Sequence, residues 1–189
     1  MNIIKKSVKN EIEISKSRFI TYLYKVDSLD EVNDYLDKTK DEYEGATHYC
    51  YAYIIDGNIK CSDDKEPSKT AGAPILNVLQ KNNLNHILCI VVRYFGGIKL
   101  GAGGLVRAYS TSCSEALSKT EIVELKEAYK VKISIDYNDI EQLNYLLKDD
   151  KITYKEFNEN VIYEVVIKKD DIEKISKYKY EIIENTFTN

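Results

Sequence analysis

The sequence predicts an α+β protein of two domains, residues 1–120 and 121–189. Three observations carry that expectation. A continuous apolar run, Ile87–Val92, has the pattern of a strand buried on both faces. It leads into RYFGGIKLGAGGLVRAYS (93–110), where five of the chain's eight glycines gather between a strand pattern and a helix pattern. Past residue 120 the patterns run strand, helix, two strands, helix, strand, the βαββαβ order of a ferredoxin-like domain.

The elements follow in order. Glu11–Ser15 and Phe19–Val26 read as two strands joined near Lys16–Arg18. Ser28 with Glu31 three residues on is a capping box, opening a helix to about Tyr43 that Gly45 ends. Thr47–Ile55 alternates and is tyrosine-rich, a strand; Asp56–Gly57 marks a turn into a short return strand, Asn58–Ser62. A polar loop, Asp63–Lys69, precedes a helix over Thr70–Gln80 that accommodates Pro74 in its first turn. His86–Tyr94 is the central strand, and a helix runs from about Gly103 to Ser118. The second domain begins with a long strand, Val123–Asp136, and a helix, Asn138–Lys148. A hairpin of Ile152–Phe157 with Val161–Lys168 follows, then a helix over Asp170–Tyr178 and a last strand, Tyr180–Asn185.

With 189 residues, 43% hydrophobic and 31% charged, the chain can bury a core without metal or disulfide staples. Its longest fully apolar run is six residues, against the roughly 20 that a membrane helix needs. MNIIKKSVKN lacks the apolar core of a secretory signal, so a cytoplasmic protein with no membrane contact is expected. Cys50, Cys61, Cys89 and Cys113 form no C-x-x-C pair and read as reduced, buried thiols; a zinc site from His48, Cys50 and Cys61 is the minor alternative. No cofactor is predicted. The net charge of −4 is uneven: residues 45–120 carry eight Lys/Arg against five Asp/Glu, residues 121–189 eleven Lys against sixteen acids. The second domain therefore repels nucleic acid on average, while the first suits an anion.

The glycine stretch is neither of two familiar phosphate motifs. Ala102 stands where a P-loop needs lysine, and Val106 breaks the G-x-G-x-x-G of a dinucleotide fingerprint. What remains is a strand, a glycine turn and a helix start, whose unpaired amides carry partial positive charge. Arg107 leans back toward that start, Lys99 lies on the same approach, and Arg93 precedes the turn. A cation at the positive end of a helix is unfavourable by about 0.3–1 kcal/mol unless an anion is present. Arg93, Lys99, Gly101, Gly103, Gly104 and Arg107 thus form the predicted phosphate or nucleic-acid site. The anion is either internal, one of Asp63, Asp64 and Glu66, or a phosphate of RNA or of a small metabolite.

A possible second cluster comprises His48, Asp63, Asp64, Glu66 and Lys69. His48 reads as a hydrogen-bonded histidine at the core edge or, alternatively, a general base. The three acids either bind a divalent metal, although the D-x-D-x-D-G pattern is absent, or serve as arginine partners. Tyr49, Tyr51 and Tyr53 share one face of their strand, a row that either stacks bases or lies under a helix. No nucleophile, base and acid stand at a recognisable spacing, so no catalytic residue is predicted.

SRFI (17–20), ATHYCYAYII (46–55), CSDDKEPSKTAGAPIL (61–76) and IVVRYFGGIKLGAGGLVRAYS (90–110) together resemble the YigZ/IMPACT family, in order across about residues 15–118. The resemblance implies an N-terminal α/β sandwich like the second domain of a small-subunit ribosomal protein, and a ferredoxin-like C-terminal domain like one in elongation factor G. Eukaryotic relatives regulate translation through protein contacts; for the bacterial members nucleic-acid or ribosome binding is the usual inference, and no catalytic residue is implied. The family often has glycine where this chain carries Lys65 and Lys69, which argues against a need for free backbone in that loop.

The expected function is a noncatalytic binding protein of the translation apparatus that contacts RNA or the ribosome through the glycine loop. The alternatives are an enzyme on a phosphorylated substrate, with a metal or base from the acidic loop, and a pure protein-interaction regulator. Geometry discriminates them: acids locked onto Arg93 or Arg107 without a cavity argue against the enzyme, and acids beside an open pocket argue for it. The sequence is silent on oligomeric state.

Overall fold

The apolar run Ile87–Val92 forms the middle of a sheet. The computed structural model describes all 189 residues, which divide into two units, Met1–Glu124 and Leu125–Asn189. The first contains β1 (Asn2–Ile4), β2 (Val8–Ile14), β3 (Ser17–Lys25), α1 (Leu29–Glu42), β4 (His48–Ile55), β5 (Asn58–Ser62), α2 (Gly72–Lys81), β6 (Ile87–Tyr94), α3 (Gly101–Leu117) and β7 (Ile122–Glu124). Five of its strands form one antiparallel sheet in the order β2-β3-β6-β4-β5.

The period of two along β6 divides the core between the two faces of that sheet. Ile87, Cys89 and Val91 join one cluster with Ile75 and Leu79 of α2 and Leu105 and Tyr109 of α3. Leu88, Ile90 and Val92 join another with Val32 and Leu36 of α1. Tyr49, Tyr51 and Tyr53 are half-buried against this second cluster, and Tyr49 Oη donates to the Tyr43 carbonyl at 2.6 Å. The tyrosine row therefore lies on the α1 side of the sheet, half-buried, and Tyr49 and Tyr51 share a cavity of about 340 Å³ with Leu36 and Lys40 of α1.

The capping box is present as predicted, with Ser28 Oγ accepting from the Glu31 amide at 3.2 Å. Other boundaries differ for tertiary reasons. The strand predicted over Val123–Asp136 is two elements, because β7 pairs antiparallel with β1, a three-residue strand whose sequence has no pattern of its own. α2 starts at Gly72, two residues after the expected Thr70, and α3 at Gly101, two residues before the expected Gly103.

The second unit contains β8 (Lys126–Ile135), α4 (Ile140–Leu146), β9 (Lys151–Phe157), β10 (Val161–Lys168) and β11 (Lys179–Thr188). Its antiparallel sheet has the order β11-β8-β10-β9, so the α+β class and the split βαββαβ order are those the sequence predicted. The helix expected over Asp170–Tyr178 is a 3₁₀ segment, Lys169–Ile175, which anchors Ile175 in a core with Leu143, Val131 and Val165. No helix is long and apolar enough to cross a membrane.

Candidate functional site

Between β5 and α2 the acidic loop closes on itself. Asp63 Oδ1 accepts from the amides of Ala71 and Gly72 at 2.9 and 2.8 Å, and Oδ2 from the Lys69 amide at 2.8 Å. It thus caps α2 from eight residues upstream, where the N-cap residue itself, Ala71, has no side-chain acceptor. Burial works to raise the Asp63 pKa, but the three backbone N–H groups together outweigh it and hold the carboxyl below its ordinary value. Asp64 Oδ2 accepts from the Tyr49 amide at 2.7 Å, and the Asp64 carbonyl accepts from His48 Nδ1, also at 2.7 Å. Lys65 and Lys69 take positive φ, 69° and 63°. The loop does adopt left-handed backbone at both lysines, which corrects the expectation drawn from the absence of glycine there.

Glu66 is the acid that pairs with an arginine. Its Oε1 accepts from Arg93 at 2.6 Å and from Tyr109 Oη at 2.8 Å, with both partners of the ion pair about 95% buried. Arg93 also donates to Ser17 Oγ at 3.3 Å, and its guanidinium lies 5.4 Å from the Phe19 ring and 5.6 Å from the Phe95 ring. Arg93 Nε has no hydrogen-bond partner. Buried and paired, Arg93 is a structural cation, which corrects its expected role in neutralising an external phosphate. Burial raises the pKa of the Tyr109 hydroxyl and, nearby, pushes the Cys50 thiol up to about 12, so both stay protonated as donors. Cys50, Cys89 and Cys113 are buried and Cys61 is exposed, so the expectation of burial is corrected at Cys61, which sits on the edge strand β5. The carboxylates of Asp63, Asp64 and Glu66 thus turn to three separate sets of partners, and no group of three or more His, Cys, Asp or Glu side chains stands ready to hold a metal ion.

The glycine turn has a different construction. A Cβ on Gly96 would lie 1.9 Å from the Lys16 carbonyl oxygen, so only glycine lets this turn press against the β2–β3 connection. The Gly96 amide donates to Ser17 Oγ and the Phe95 amide to Thr47 Oγ1, which pins the turn to the start of β3 and to the residue before β4. Gly101, where α3 begins, has φ +68°. Gly103 is unlike these: its φ is not positive, a Cβ there would meet nothing within 4 Å, and it is exposed. α3 has Leu100 at its N-cap, no side-chain cap and no acidic residue in its first turn. Lys99 and Arg107 are both exposed and form no ion pair.

A cavity of about 370 Å³ lies between the two loops. His48, Glu66, Arg93 and Lys99 supply its polar lining; Phe95, Leu100 and Leu105 are among its apolar walls, and Gly101 and Ala102 of α3 also border it. The structure therefore brings Arg93, Lys99 and Gly101 to one place with His48 and Glu66, and leaves Gly103, Gly104 and Arg107 outside the lining. Both discriminating conditions are met in part: Glu66 is locked onto Arg93, yet a cavity remains. Sequence reasoning missed Ser17, Phe95 and Tyr109. Phe95 had a signal, an aromatic ending an apolar strand at a glycine turn; Ser17 and Tyr109 had none, because their roles arise from contacts 76 and 43 residues away in sequence.

Comparison with known proteins adds the following. Residues 15–117 match the model of the Impact N-terminal domain. The chain is 40% identical over 184 residues to the IMPACT family member YvyE of Bacillus subtilis, covering 95% of this chain and 85% of that protein. To the IMPACT family member YigZ of Escherichia coli it is 32% identical over 162 residues, covering 82% and 79%. Among solved structures, the crystal structure of a hypothetical protein aligns with TM-score 0.64 and 30% identity over 97% of each chain.

Proposed function

The chain belongs to the IMPACT family, and from that premise we propose that it is a noncatalytic binding protein of the translation apparatus, meeting RNA phosphate at the amino end of α3. Gly103 carries this reading. A glycine in a helix is unfavourable by about 1 kcal/mol relative to alanine, and neither backbone strain nor packing requires one at this position. An open first turn with no side chain larger than the Ala102 methyl lets a partner approach amides that nothing else caps. Lys99 and Arg107 supply exposed charge beside it, and neither has an internal acid to hold it. The polar groups of the acidic loop are engaged internally, which disfavours a metal-dependent reaction there. The resemblance of the sequence blocks to a family with translation regulators supplies the cellular setting.

The test is binding of the purified chain to ribosomes and single-stranded RNA across a salt series. A phosphate site predicts a steep decline with salt, and the Lys99→Ala, Arg107→Ala double variant should lower the log–log slope by about 1.4, two single-strand contacts. Both residues are exposed, so the variant should melt like wild type. Wild-type binding that is absent, or indifferent to both substitutions, rejects the reading.

A further inference from the structure

The cavity beside α3 has a feature that a phosphate site alone does not need. Its walls include Phe95, Leu100 and Leu105, apolar groups that an anion does not require, and its lining holds two acceptors side by side. Glu66 Oε1 takes both buried bonds, from Arg93 and Tyr109. Glu66 Oε2 faces His48 Nε2 at 3.7 Å, beyond hydrogen-bond reach. The bond from His48 Nδ1 to the Asp64 carbonyl places a ring proton on Nδ1, and in that tautomer Nε2 is the lone-pair nitrogen, an acceptor. Two adjacent acceptors ask for two adjacent donors. Phe95, 46% exposed, lines the same cavity.

We infer that the cavity takes the guanine base of a nucleotide. This rests on the reading of the α3 start as a phosphate site and extends it to the base. Guanine is the nucleobase whose pairing edge carries neighbouring imino and amino donors. On adenine and cytosine the amino group adjoins a ring acceptor, and on uracil the imino group lies between two carbonyls; each would set an acceptor against Glu66 or His48. A volume of about 370 Å³ is in the range of small-ligand sites. The base stacks on Phe95, its donors meet Glu66 Oε2 and His48 Nε2, and its phosphate lies toward Lys99 and the amides of Gly101 and Ala102. The source is either a guanosine in single-stranded RNA or a free guanine nucleotide.

The experiment is a titration of the full chain, followed by NMR, with GMP, UMP and inorganic phosphate, beside RNA oligomers with and without guanosine. GMP should shift the His48 ring and the Gly101 and Ala102 amides, and bind on the order of tenfold tighter than UMP; inorganic phosphate should shift the amides alone. His48→Asn keeps the donor to the Asp64 carbonyl and removes the Nε2 acceptor, so it should abolish the preference for GMP. Phe95→Ala should weaken GMP about tenfold and leave inorganic phosphate unchanged. Equal binding of GMP and UMP, or GMP binding that survives both variants, overturns the inference. Salt-steep binding of oligouridylate without any GMP preference overturns it while the phosphate reading stands. A GMP preference without RNA binding upholds the pocket as a free-nucleotide site and rejects the RNA reading instead.

Discussion

The acidic loop and the glycine turn each lead from a strand into a helix, and they treat that helix in opposite ways. The acidic loop satisfies its own helix: Asp63 caps α2 with three backbone bonds, Asp64 ties the loop to β4, and Glu66 neutralises Arg93. The glycine turn anchors itself through Gly96, Ser17 and Thr47, then leaves α3 uncapped with two unpaired cations beside it. In the sequence both segments are candidate sites, the glycine stretch as the anion site and the acidic residues at 63–66 as a second cluster. The contacts separate the two. Polar groups that already hold internal partners build the fold, and those without partners are available to a ligand.

Five substitutions probe the contrast, from the largest effect to the smallest. Glu66→Ala removes the partner of a buried guanidinium and should lose about 3–5 kcal/mol in urea unfolding; a loss under 1 kcal/mol would mean that Arg93 is not dependent on the acidic loop. Gly96→Ala drives a methyl into the Lys16 carbonyl and should cost about 1–3 kcal/mol, whereas Gly103→Ala should stabilise by up to about 1 kcal/mol. If the two glycines respond alike under thermal melting, the division between anchoring and open glycines fails.

Asp63→Asn tests the cap and should cost about 1 kcal/mol at neutral pH. Because the folded-state pKa of Asp63 lies below its unfolded value, near 3.9, its contribution is complete above that value and is lost as pH falls through the folded one. The gap between wild type and Asp63→Asn should therefore narrow on acidification below about pH 4; a gap that stays constant or widens there contradicts the cap. Lys69→Gly relieves a left-handed lysine, φ 63°, worth roughly 1–2 kcal/mol, against an unfolded-state entropy penalty of about 0.5–1 kcal/mol. A net gain of about 0.5 kcal/mol is expected in the denaturation midpoint. Destabilisation would show that the lysine side chain itself supports the loop.

The sequence by itself determined the α+β class, the central strand, the Ser28 capping box and the βαββαβ order, because each rests on a local period or a local hydrogen bond. It also located the segment of interest, since a cluster of glycines and cations in a lysine-rich chain with eight glycines is visible without coordinates. The resemblance of its blocks pointed to the family that the comparisons bear out. Only the tertiary structure decided which acid meets which cation. Glu66 and Arg93 lie 27 residues apart on different elements, and three nearby carboxylates with the same chemistry gave no local reason to choose among them. It also decided that the tyrosine row lies on the α1 side of the sheet, that β1 and β7 pair, and that a cavity survives beside a closed ion pair. Pairing and burial between distant segments depend on how the sheet stacks its helices, and no local pattern in the chain encodes that directly.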